Sequence, residues 1–187
     1  MSQTKILIDS NVYFRLAQSI HPLLQIEFGK ERHCLYVINE LQSEYEKNQR
    51  LKSKFYWVNE SKYKKNRSCE LNISRKEKLA IAQVFDFIKN YARDLYPDVS
   101  KVDITILAHA YVLNIQIVTD DSDMLDLADD FNIKTLKTLE LLKLMLDCQH
   151  IKITVVRQIA SYWNYAEDKP KLFALDYKKL FKESPPK

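Results

Sequence analysis

Hydrophobic positions along the chain alternate between short continuous runs and longer segments in which they recur at helical spacing. Runs of about four to eight apolar residues between polar ones are typical of buried strands, and recurrence at i, i+3 and i+4 is typical of amphipathic helices. The runs predict strands at 4–8, 33–38, 115–118 and 133–136. Helices are predicted at 12–19, 22–29, from 40 onward, 75–96, 101–113, after 121 and at 139–147. Strands that alternate with helices predict an α/β protein with a parallel sheet covered on both faces.

Capping boxes mark the beginnings of two predicted helices. Ser74 is followed three residues later by Glu77, and Ser100 is followed at the same distance by Asp103. In such a pair each side chain accepts a hydrogen bond from the other residue's backbone amide, which otherwise lacks a partner at a helix start. The pattern therefore predicts one helix that begins after Ser74 and another that begins after Ser100.

The chain changes character after residue 150, and this change predicts its organisation. Residues 151–156 fit either a strand or the start of a helix, and residues 157–166 are amphipathic. The tail from residue 168 onward is rich in lysine. We therefore expect a main domain over 1–149, with a basic insertion at about 44–74, and a helical, basic extension over 150–187.

Glycine and cysteine usage excludes several classes of protein. Gly29 is the single glycine among 187 residues, so a P-loop or a dinucleotide fingerprint, which need several glycines near phosphate, cannot be built. The three cysteines are scattered and form no C-x-x-C pair, which argues against a disulfide framework or a zinc ribbon. The sequence has no signal-peptide pattern and no apolar run long enough for a bilayer. We expect a cytoplasmic protein without a membrane partner.

Charge is distributed unevenly along the chain, although its net value is only +4. The basic segment, residues 47–67, holds eight Lys and Arg against Glu60 alone, for a net charge of +7. The acidic segment, residues 98–130, holds eight Asp against Lys101 alone, for a net charge of −7. This pattern favours an anionic polymer bound by one part and cations bound by another, or two solvated faces of opposite sign.

Aromatic residues lie between the lysines of the basic segment. Lysines that follow phosphates, together with rings that stack on bases, are typical of RNA contacts. Phe55, Trp57 and Tyr63 fit that role, and they fit packing against the core equally well. The candidate RNA-binding residues are Lys54, Lys62, Lys64, Lys65 and Arg67.

Four acidic residues lie where the predicted parallel sheet would place a site. Asp9 directly follows the first strand, Glu40 lies two residues beyond the second, and Asp121 lies three residues beyond the third. Asp103 lies in the first turn of the helix that leads into the third strand. Carboxylates that meet at the carboxyl edge of a sheet repel one another unless a cation joins them. An all-oxygen set of this kind suits one or two Mg²⁺ or Mn²⁺ ions and phosphodiester hydrolysis.

Four short motifs, in this order along residues 5–142, resemble those of the PIN-domain nucleases. They are Ile6-Leu7-Ile8-Asp9-Ser10-Asn11-Val12, Val37-Ile38-Asn39-Glu40-Leu41, Val102-Asp103-Ile104-Thr105-Ile106-Leu107-Ala108 and Ile117-Val118-Thr119-Asp120-Asp121-Ser122-Asp123-Met124. The resemblance implies a three-layer α/β/α sandwich with a central, mostly parallel sheet. It implies a metal-dependent endoribonuclease that cuts single-stranded or exposed RNA by two-metal-type hydrolysis and leaves 5′-phosphate and 3′-hydroxyl ends.

The resemblance also implies roles for individual residues and for partners. The implied metal ligands are Asp9, Glu40, Asp103, Asp121 and the auxiliary Asp123, and the implied supporting residues are Ser10, Asn11 and Thr119. The implied biology is that of the toxin of a toxin–antitoxin pair, with RNA as the substrate, an antitoxin protein as a partner and a homodimer as the usual assembly. The basic insertion and the tail beyond residue 150 depart from compact PIN toxins.

Other interpretations of these residues stay open. Asp9, Glu40 and Asp103 are each suited to capping a helix or to its first turn. Within Asp120-Asp121-Ser122-Asp123 the principal ligand is undecided. One alternative function is a non-catalytic PIN-like RNA-binding or scaffold protein. A haloacid-dehalogenase-like phosphatase is less favoured, because Asn11 stands where that chemistry needs a second acid.

Overall fold

The structure, a computed structural model that describes residues 3–68 and 71–186, is built around a parallel sheet. Its strands are β1 (Thr4–Ile8), β2 (His33–Tyr36), β3 (Gln116–Val118) and β4 (Thr135–Leu136). Within the described residues the strand order is β2-β1-β3-β4, and each neighbouring pair is parallel. The predicted strands are confirmed, and the last three are shorter than predicted.

The helices that surround the sheet follow the predicted periodicity. They are α1 (Ser10–Leu16), α2 (Glu40–Lys47), α3 (Gln49–Lys54), α4 (Ser61–Arg67), α5 (Arg75–Leu95), α6 (Lys101–Leu113), α7 (Ser122–Asp130), α8 (Thr138–Asp147), α9 (Ile153–Tyr165) and α10 (Phe173–Phe181). Both predicted capping boxes are present, at Ser74 for α5 and at Ser100 for α6. Most of segment 151–156 lies in α9, so its helical alternative is confirmed.

Alternating side chains of β1 divide the core between the two faces of the sheet. Ile6 and Ile8 lie in a core cluster that includes residues of α1, α8, α9 and α10. Leu7 lies in another cluster, with residues of α5, α6 and α7. Because successive side chains of a strand point to opposite faces, helices cover both faces of the sheet. The fold is the predicted three-layer α/β/α sandwich, rich in helix.

The C-terminal helices share the core of the sheet. Trp163 and Tyr177 are completely buried, and both belong to the cluster that contains Ile6. α9 and α10 therefore stabilise the same core as the strands, while the predicted boundary between 1–149 and 150–187 stays a prediction. Among the described residues, no helix is both long and apolar enough to cross a membrane.

The basic segment forms α3, a 3₁₀ turn (Tyr56–Asn59) and α4. Its rings Phe55, Trp57 and Tyr63 are buried in the core. Phe55 stacks on Phe14 of α1, with ring centroids 5.0 Å apart. The packing alternative is therefore confirmed for these three rings, and stacking on RNA bases is excluded for them in this fold. Residues 69 and 70 of the predicted insertion lie outside the described residues.

The helix predicted at 22–29 is wrong, since this segment forms turns. Gln25 has a φ of 64°, in the left-handed region that an α-helix does not accommodate. Its amide donates instead to the carbonyl of Leu35, at 3.1 Å. Gly29 also has a positive φ, of 70°, and a Cβ atom there would lie 2.6 Å from Cys148 Sγ. Backbone conformation and close packing therefore both require the single glycine.

Candidate active site

The site lies at the carboxyl edge of the sheet, where the chain order of the strands reverses. β1 is followed by β2 on one side, and β3 pairs with β1 on the other side. Ligands of open α/β sheets bind at such a switch point, outside the carboxyl ends of the strands. Asp9 leaves β1 here, and its amide donates to the carbonyl of Val118 at the end of β3, at 3.1 Å. Thr119, Asp120 and Asp121 follow directly.

Asp9 is a buried carboxylate, with only 4% of its surface exposed. Its Oδ1 accepts a hydrogen bond from the amide of Val12 at 2.6 Å, so it caps α1, and its Oδ2 accepts one from the Thr119 hydroxyl. Burial raises the pKa of Asp9 to about 7, the hydrogen bonds oppose that shift, and the charges of Asp120 and Asp103 add to it. The capping interpretation is therefore correct, and it coexists with a perturbed carboxylate of the kind found at active sites.

Thr119 links the ends of the two central strands. Its side chain is completely buried. The hydroxyl donates to Asp9 Oδ2 and accepts from the amide of Asp121 at 3.1 Å. One hydroxyl thus links the carboxylate of Asp9 to the backbone of Asp121, while the supporting role of Thr119 in metal binding stays a prediction.

Asp103 also combines a capping role with a position near the site. It accepts from the amide of Ser100 at 3.0 Å within the capping box of α6. Burial raises its pKa, hydrogen bonds from Ser100 lower it in part, and the charge of Asp121 raises it further. The charge of Asp103 thus acts on Asp9 and the charge of Asp121 acts on Asp103, while metal binding by these three residues stays a prediction.

The structure distinguishes the neighbouring acids of the segment after β3. Asp120 accepts from the amide and hydroxyl of Thr138, at 3.0 and 2.6 Å, and from Arg15 at 3.0 Å. These donors occupy both of its oxygens and make it an anchor of the fold. Asp121 is exposed and caps α7 through the Met124 amide at 2.9 Å. Asp121 is therefore a better candidate than Asp120 to bind an ion, together with Asp123 in the first turn of α7.

An acid that the sequence analysis missed lies on α2. Glu44 accepts a hydrogen bond at 2.6 Å from the hydroxyl of Ser10, the residue that follows Asp9 in the chain. Glu40, one turn earlier, lines a neighbouring cleft instead. The spacing of four residues, which places two side chains on one face of a helix, is the signal that could have included Glu44. The metal-binding role of Glu40 stays a prediction. We use the name acidic edge for Asp9, Asp103, Asp121 and Glu44.

The supporting residues predicted beside Asp9 have different surroundings. Ser10 is buried and contacts Glu44, which gives it a direct link between α1 and α2. Asn11 is exposed, and nothing in the structure explains a role for it.

An ion-pair network that the sequence analysis also missed ties the C-terminal extension to this region. Arg15 bridges Asp120 and Asp168, at 3.0 Å each, and Lys54 contacts Asp168 at 2.6 Å. Burial alone would raise the pKa of Asp168, but the hydrogen bonds and charges of Lys54 and Arg15 outweigh it and hold the pKa below its ordinary value. The loop between α9 and α10 is therefore fixed to the segment that carries Asp121.

The predicted RNA-binding residues differ in what they contact. Lys54 pairs with Asp168, and Lys62 lies 3.6 Å from Glu60 and over the Tyr63 ring. Arg67 donates to the Tyr13 hydroxyl, the Gln42 side chain and the Val58 carbonyl, each at 2.9 Å. Lys64 and Lys65 are exposed and form no ion pair with any described residue. RNA contact by these residues stays a prediction, and Arg67 has a clear internal role.

The acidic edge fits a divalent cation in its donor chemistry, but its side chains are not closed around one. Among residues 3–68 and 71–186, no three His, Cys, Asp or Glu side chains lie close enough together to hold a metal ion. The donors present are carboxylate oxygens, which suit Mg²⁺ or Mn²⁺. A cation would also offset the cost of ionising the buried Asp9. Binding would therefore require the side chains of the acidic edge to converge.

Comparison with known proteins assigns no family to the chain. No protein-family model and no curated protein sequence matches it. A solved structure, that of FitAcB from Neisseria gonorrhoeae, is 17% identical over 72% of this chain and 98% of that chain, with a TM-score of 0.47. A likeness this distant carries no argument about function. What the protein does has to be inferred from its own residues.

Proposed function

We propose that this protein is a divalent-metal-dependent endoribonuclease of the PIN type that cleaves single-stranded or exposed RNA. The observation that carries the proposal is Asp9, a buried carboxylate at the switch point of a parallel sheet, whose pKa is raised to about 7 by burial with the charges of Asp120 and Asp103 adding to it. Asp9 caps α1, but burial of the charged form is unfavourable, so the ionised cap has a cost in free energy. A cation that binds a phosphodiester substrate would make the arrangement favourable.

The residues of the chain would divide the work as follows. Asp9, Asp103 and Asp121 would hold the ion or ions, and Glu44 is placed to complete the set through its position beside Ser10. Thr119 keeps Asp9 and the Asp121 backbone in fixed relation. A bound Mg²⁺ or Mn²⁺ would lower the pKa of a water molecule and offset the charge that develops on the phosphate.

The decisive experiment incubates the protein with end-labelled RNA in Mn²⁺ or in EDTA, beside D9N, D121N and E44Q. We expect cleavage only with the metal, products with 5′-phosphate ends, and a loss of about 100-fold or more in each variant. The matched control is Asp86→Asn, which makes the same chemical change on an exposed position of α5. Thermal denaturation of each variant separates a lost function from a lost fold.

Four results would contradict the proposal. Cleavage in EDTA, or full activity of both D9N and D121N, would exclude the metal mechanism. Binding of RNA without cleavage in any metal would support the non-catalytic RNA-binding alternative. Turnover of small phosphomonoesters through a phosphorylated Asp9 would support a phosphatase.

The proposal extends to the biology and the partners of the enzyme. A toxin of a toxin–antitoxin pair should arrest growth when expressed alone, and the D9N variant should not. An antitoxin protein and a homodimer are the expected partners, and sedimentation velocity of the purified chain tests the homodimer directly. A monomer at micromolar concentration would contradict that assembly without affecting the nuclease activity.

A further inference from the structure

A cleft of about 410 Å³ opens between α2, α5 and α6. This volume falls within the range of about 300–1,000 Å³ that is typical of small-molecule sites. Most of its exposed lining is polar, and the apolar part, here called the floor, includes the largely buried Ile38, Leu71 and Ile81. The flat face of an aromatic ring system could therefore be desolvated against this floor, as happens when a protein binds an unstacked base.

Polar groups of opposite charge line the same cleft. Glu40 at the start of α2 and Lys78 on α5 both line it. They do not pair with each other, and neither side chain forms an ion pair or hydrogen bond with another residue in 3–68 or 71–186. A carboxylate and an ammonium group that share a cleft without contact leave room for a ligand that offers donors to one and an acceptor to the other.

A histidine on α6 adds an oriented ring to the lining. His109 Nδ1 lies 2.7 Å from the carbonyl oxygen of Thr105. Because a carbonyl oxygen only accepts, Nδ1 carries the proton and Nε2 of the neutral ring is an acceptor. The hydrogen bond fixes the ring within its own helix, so this wall of the cleft is defined before a ligand binds.

Two helices connect the cleft to the acidic edge. On α2, Glu40 lines the cleft and Glu44, one turn later, contacts Ser10 beside Asp9. On α6, Asp103 belongs to the acidic edge and His109 to the cleft, and six residues of helix span about 9 Å. A phosphate and the base of a neighbouring nucleotide can span such a distance when that base is unstacked. A strand with its scissile phosphate at the acidic edge would therefore bring a neighbouring base to the cleft.

We propose that this cleft binds a nucleobase that flanks the scissile phosphate, and that it prefers guanine. The inference rests on the proposed function, because that function makes an RNA strand the ligand. Glu40 then recognises the base, a role distinct from the metal-binding role of Glu44.

Guanine matches the charged groups of the cleft better than the other bases do. Its Watson–Crick edge presents two N–H donors, N1–H and N2–H, which one carboxylate can accept together, and its O6 and N7 atoms accept from lysine. Adenine and cytosine offer a carboxylate a single exocyclic amine on that edge, and uracil offers one ring N–H. A good bidentate contact discriminates by about 1–3 kcal/mol, which corresponds to roughly 5- to 150-fold in affinity.

The test titrates 5′-GMP, 5′-AMP, 5′-CMP and 5′-UMP into the full-length protein without metal, with isothermal calorimetry or amide chemical shifts as the readout. We expect 5′-GMP to bind at least 10-fold more tightly than the other three. Glu40→Gln should remove most of that preference, and Lys78→Met should weaken 5′-GMP binding. The matched controls are Glu46→Gln on the exposed part of α2 and Lys76→Met on α5, which should leave binding unchanged.

The outcomes separate this proposal from the nuclease proposal. Equal binding of all four nucleotides, or a guanine preference that survives Glu40→Gln, overturns the base-binding cleft. Guanine-selective binding by a protein that never cleaves RNA supports the cleft and overturns the nuclease. If RNA is cleaved, the cut sites of the wild type should cluster beside guanine, and Glu40→Gln should scatter them. A rate lost with unchanged cut sites overturns the base-recognition role of Glu40.

Discussion

The acidic edge and the basic segment carry charges of opposite sign, and the fold treats those charges differently. At the acidic edge, the buried Asp9 forms no ion pair with any residue that the structure describes, and its pKa is raised by burial, with Asp120 and Asp103 adding to the shift. In the basic segment, Lys54 and Arg67 are engaged by partners from elsewhere in the chain. The acidic edge therefore holds charge that the fold does not neutralise, whereas much of the basic segment stabilises the fold.

This difference indicates which charged residues are candidates for function and which stabilise the fold. A count of charges along the sequence gives the two segments equal weight, at +7 and −7. The contacts give the two segments unequal weight. A paired charge contributes to structure, whereas an unpaired buried charge costs free energy unless a ligand offsets it. Within the acidic segment itself, Asp120 is paired with Arg15, whereas Asp103 is half-buried, accepts from the Ser100 amide and has its pKa raised by burial.

The largest effect is expected at Arg15, which pairs with Asp120 next to Asp121 of the acidic edge. Arg15→Met should leave Asp120 and Asp168, with 9% and 22% of their side-chain surfaces exposed, without that cation. Removing one partner of a largely buried ion pair typically costs about 3 kcal/mol or more. Urea denaturation should show a loss of about 3 kcal/mol in the free energy of unfolding.

The control for this prediction is an exposed pair of the same chemistry. Arg157 pairs with Glu183 at 2.6 Å, with 50% and 30% of the side-chain surfaces exposed. Surface pairs contribute about 1 kcal/mol or less, so Arg157→Met should have a small effect. Equal losses in the two variants would show that the network around Asp120 is not a special anchor.

The next effect concerns the uncompensated charge of Asp9 and depends on pH. Its pKa is raised from the usual 3.8 to about 7, so between these values the folded protein binds a proton that the unfolded chain has lost. The stability that Asp9 contributes therefore falls as pH rises from about 4 to about 7. Asp9→Asn keeps an acceptor for the Val12 amide and removes the charge. In the absence of metal, it should be nearly equal in stability to the wild type at pH 4 and more stable by about 2–3 kcal/mol at pH 8. This is less than the roughly 4 kcal/mol that a shift of about three pKa units gives at about 1.4 kcal/mol per unit, because Asn also lacks the second carboxylate oxygen that accepts from the Thr119 hydroxyl.

Added Mn²⁺ tests whether a cation offsets the charge of Asp9. A cation that binds the folded state stabilises it in proportion to the logarithm of its concentration above the Kd. Mn²⁺ at pH 8 should therefore raise the melting temperature of the wild type and have less effect on Asp9→Asn. If Asp9→Asn is less stable than the wild type at pH 8 without metal, the carboxylate is compensated in a way that the contacts do not show.

The sequence was sufficient for the layers of the fold because those depend on local patterns. Apolar runs, capping boxes and the alternation of strands with helices are all short-range signals, and they predicted the strands and most helices. The failure at 22–29 has a non-local cause, since the Gln25 amide bonds to Leu35 of β2 and its backbone takes a left-handed conformation. Pairing with a strand ten residues away overrides helix periodicity, and no pattern within 22–29 records it.

The candidate site was predictable in its location and less so in its members. Asp9 and Asp103 follow from strand ends and a capping box. The role of Asp120, in contrast, depends on Arg15, which lies 105 residues away in the chain. The distinction between Glu40 and Glu44 depends on which turn of α2 faces Ser10, and this follows from the packing of α2 rather than from its sequence.

The smallest of the three effects tests the basic segment. Arg67 and the neighbouring lysines should differ in how much they contribute to the stability of the fold. Arg67→Met removes three hydrogen bonds from a partly buried guanidinium, to Tyr13, Gln42 and Val58. Net contributions of such bonds are about 1 kcal/mol each and are not fully additive, so we expect a loss of about 2 kcal/mol in the free energy of unfolding. The double variant Lys64→Ala, Lys65→Ala should change stability by no more than about 0.5 kcal/mol.

RNA binding should rank these two variants in the opposite order. Each phosphate contact contributes about one unit to the slope of log affinity against log salt, so loss of Lys64 and Lys65 should lower that slope by up to about two. Arg67→Met should leave the slope unchanged, because its donors are occupied within the protein. Filter binding of labelled RNA across a salt series, with metal omitted to prevent cleavage, measures both slopes. A reduced slope in Arg67→Met alone would show that the internal contacts of Arg67 give way to RNA, and the difference between the two charged regions would then be smaller than their contacts indicate.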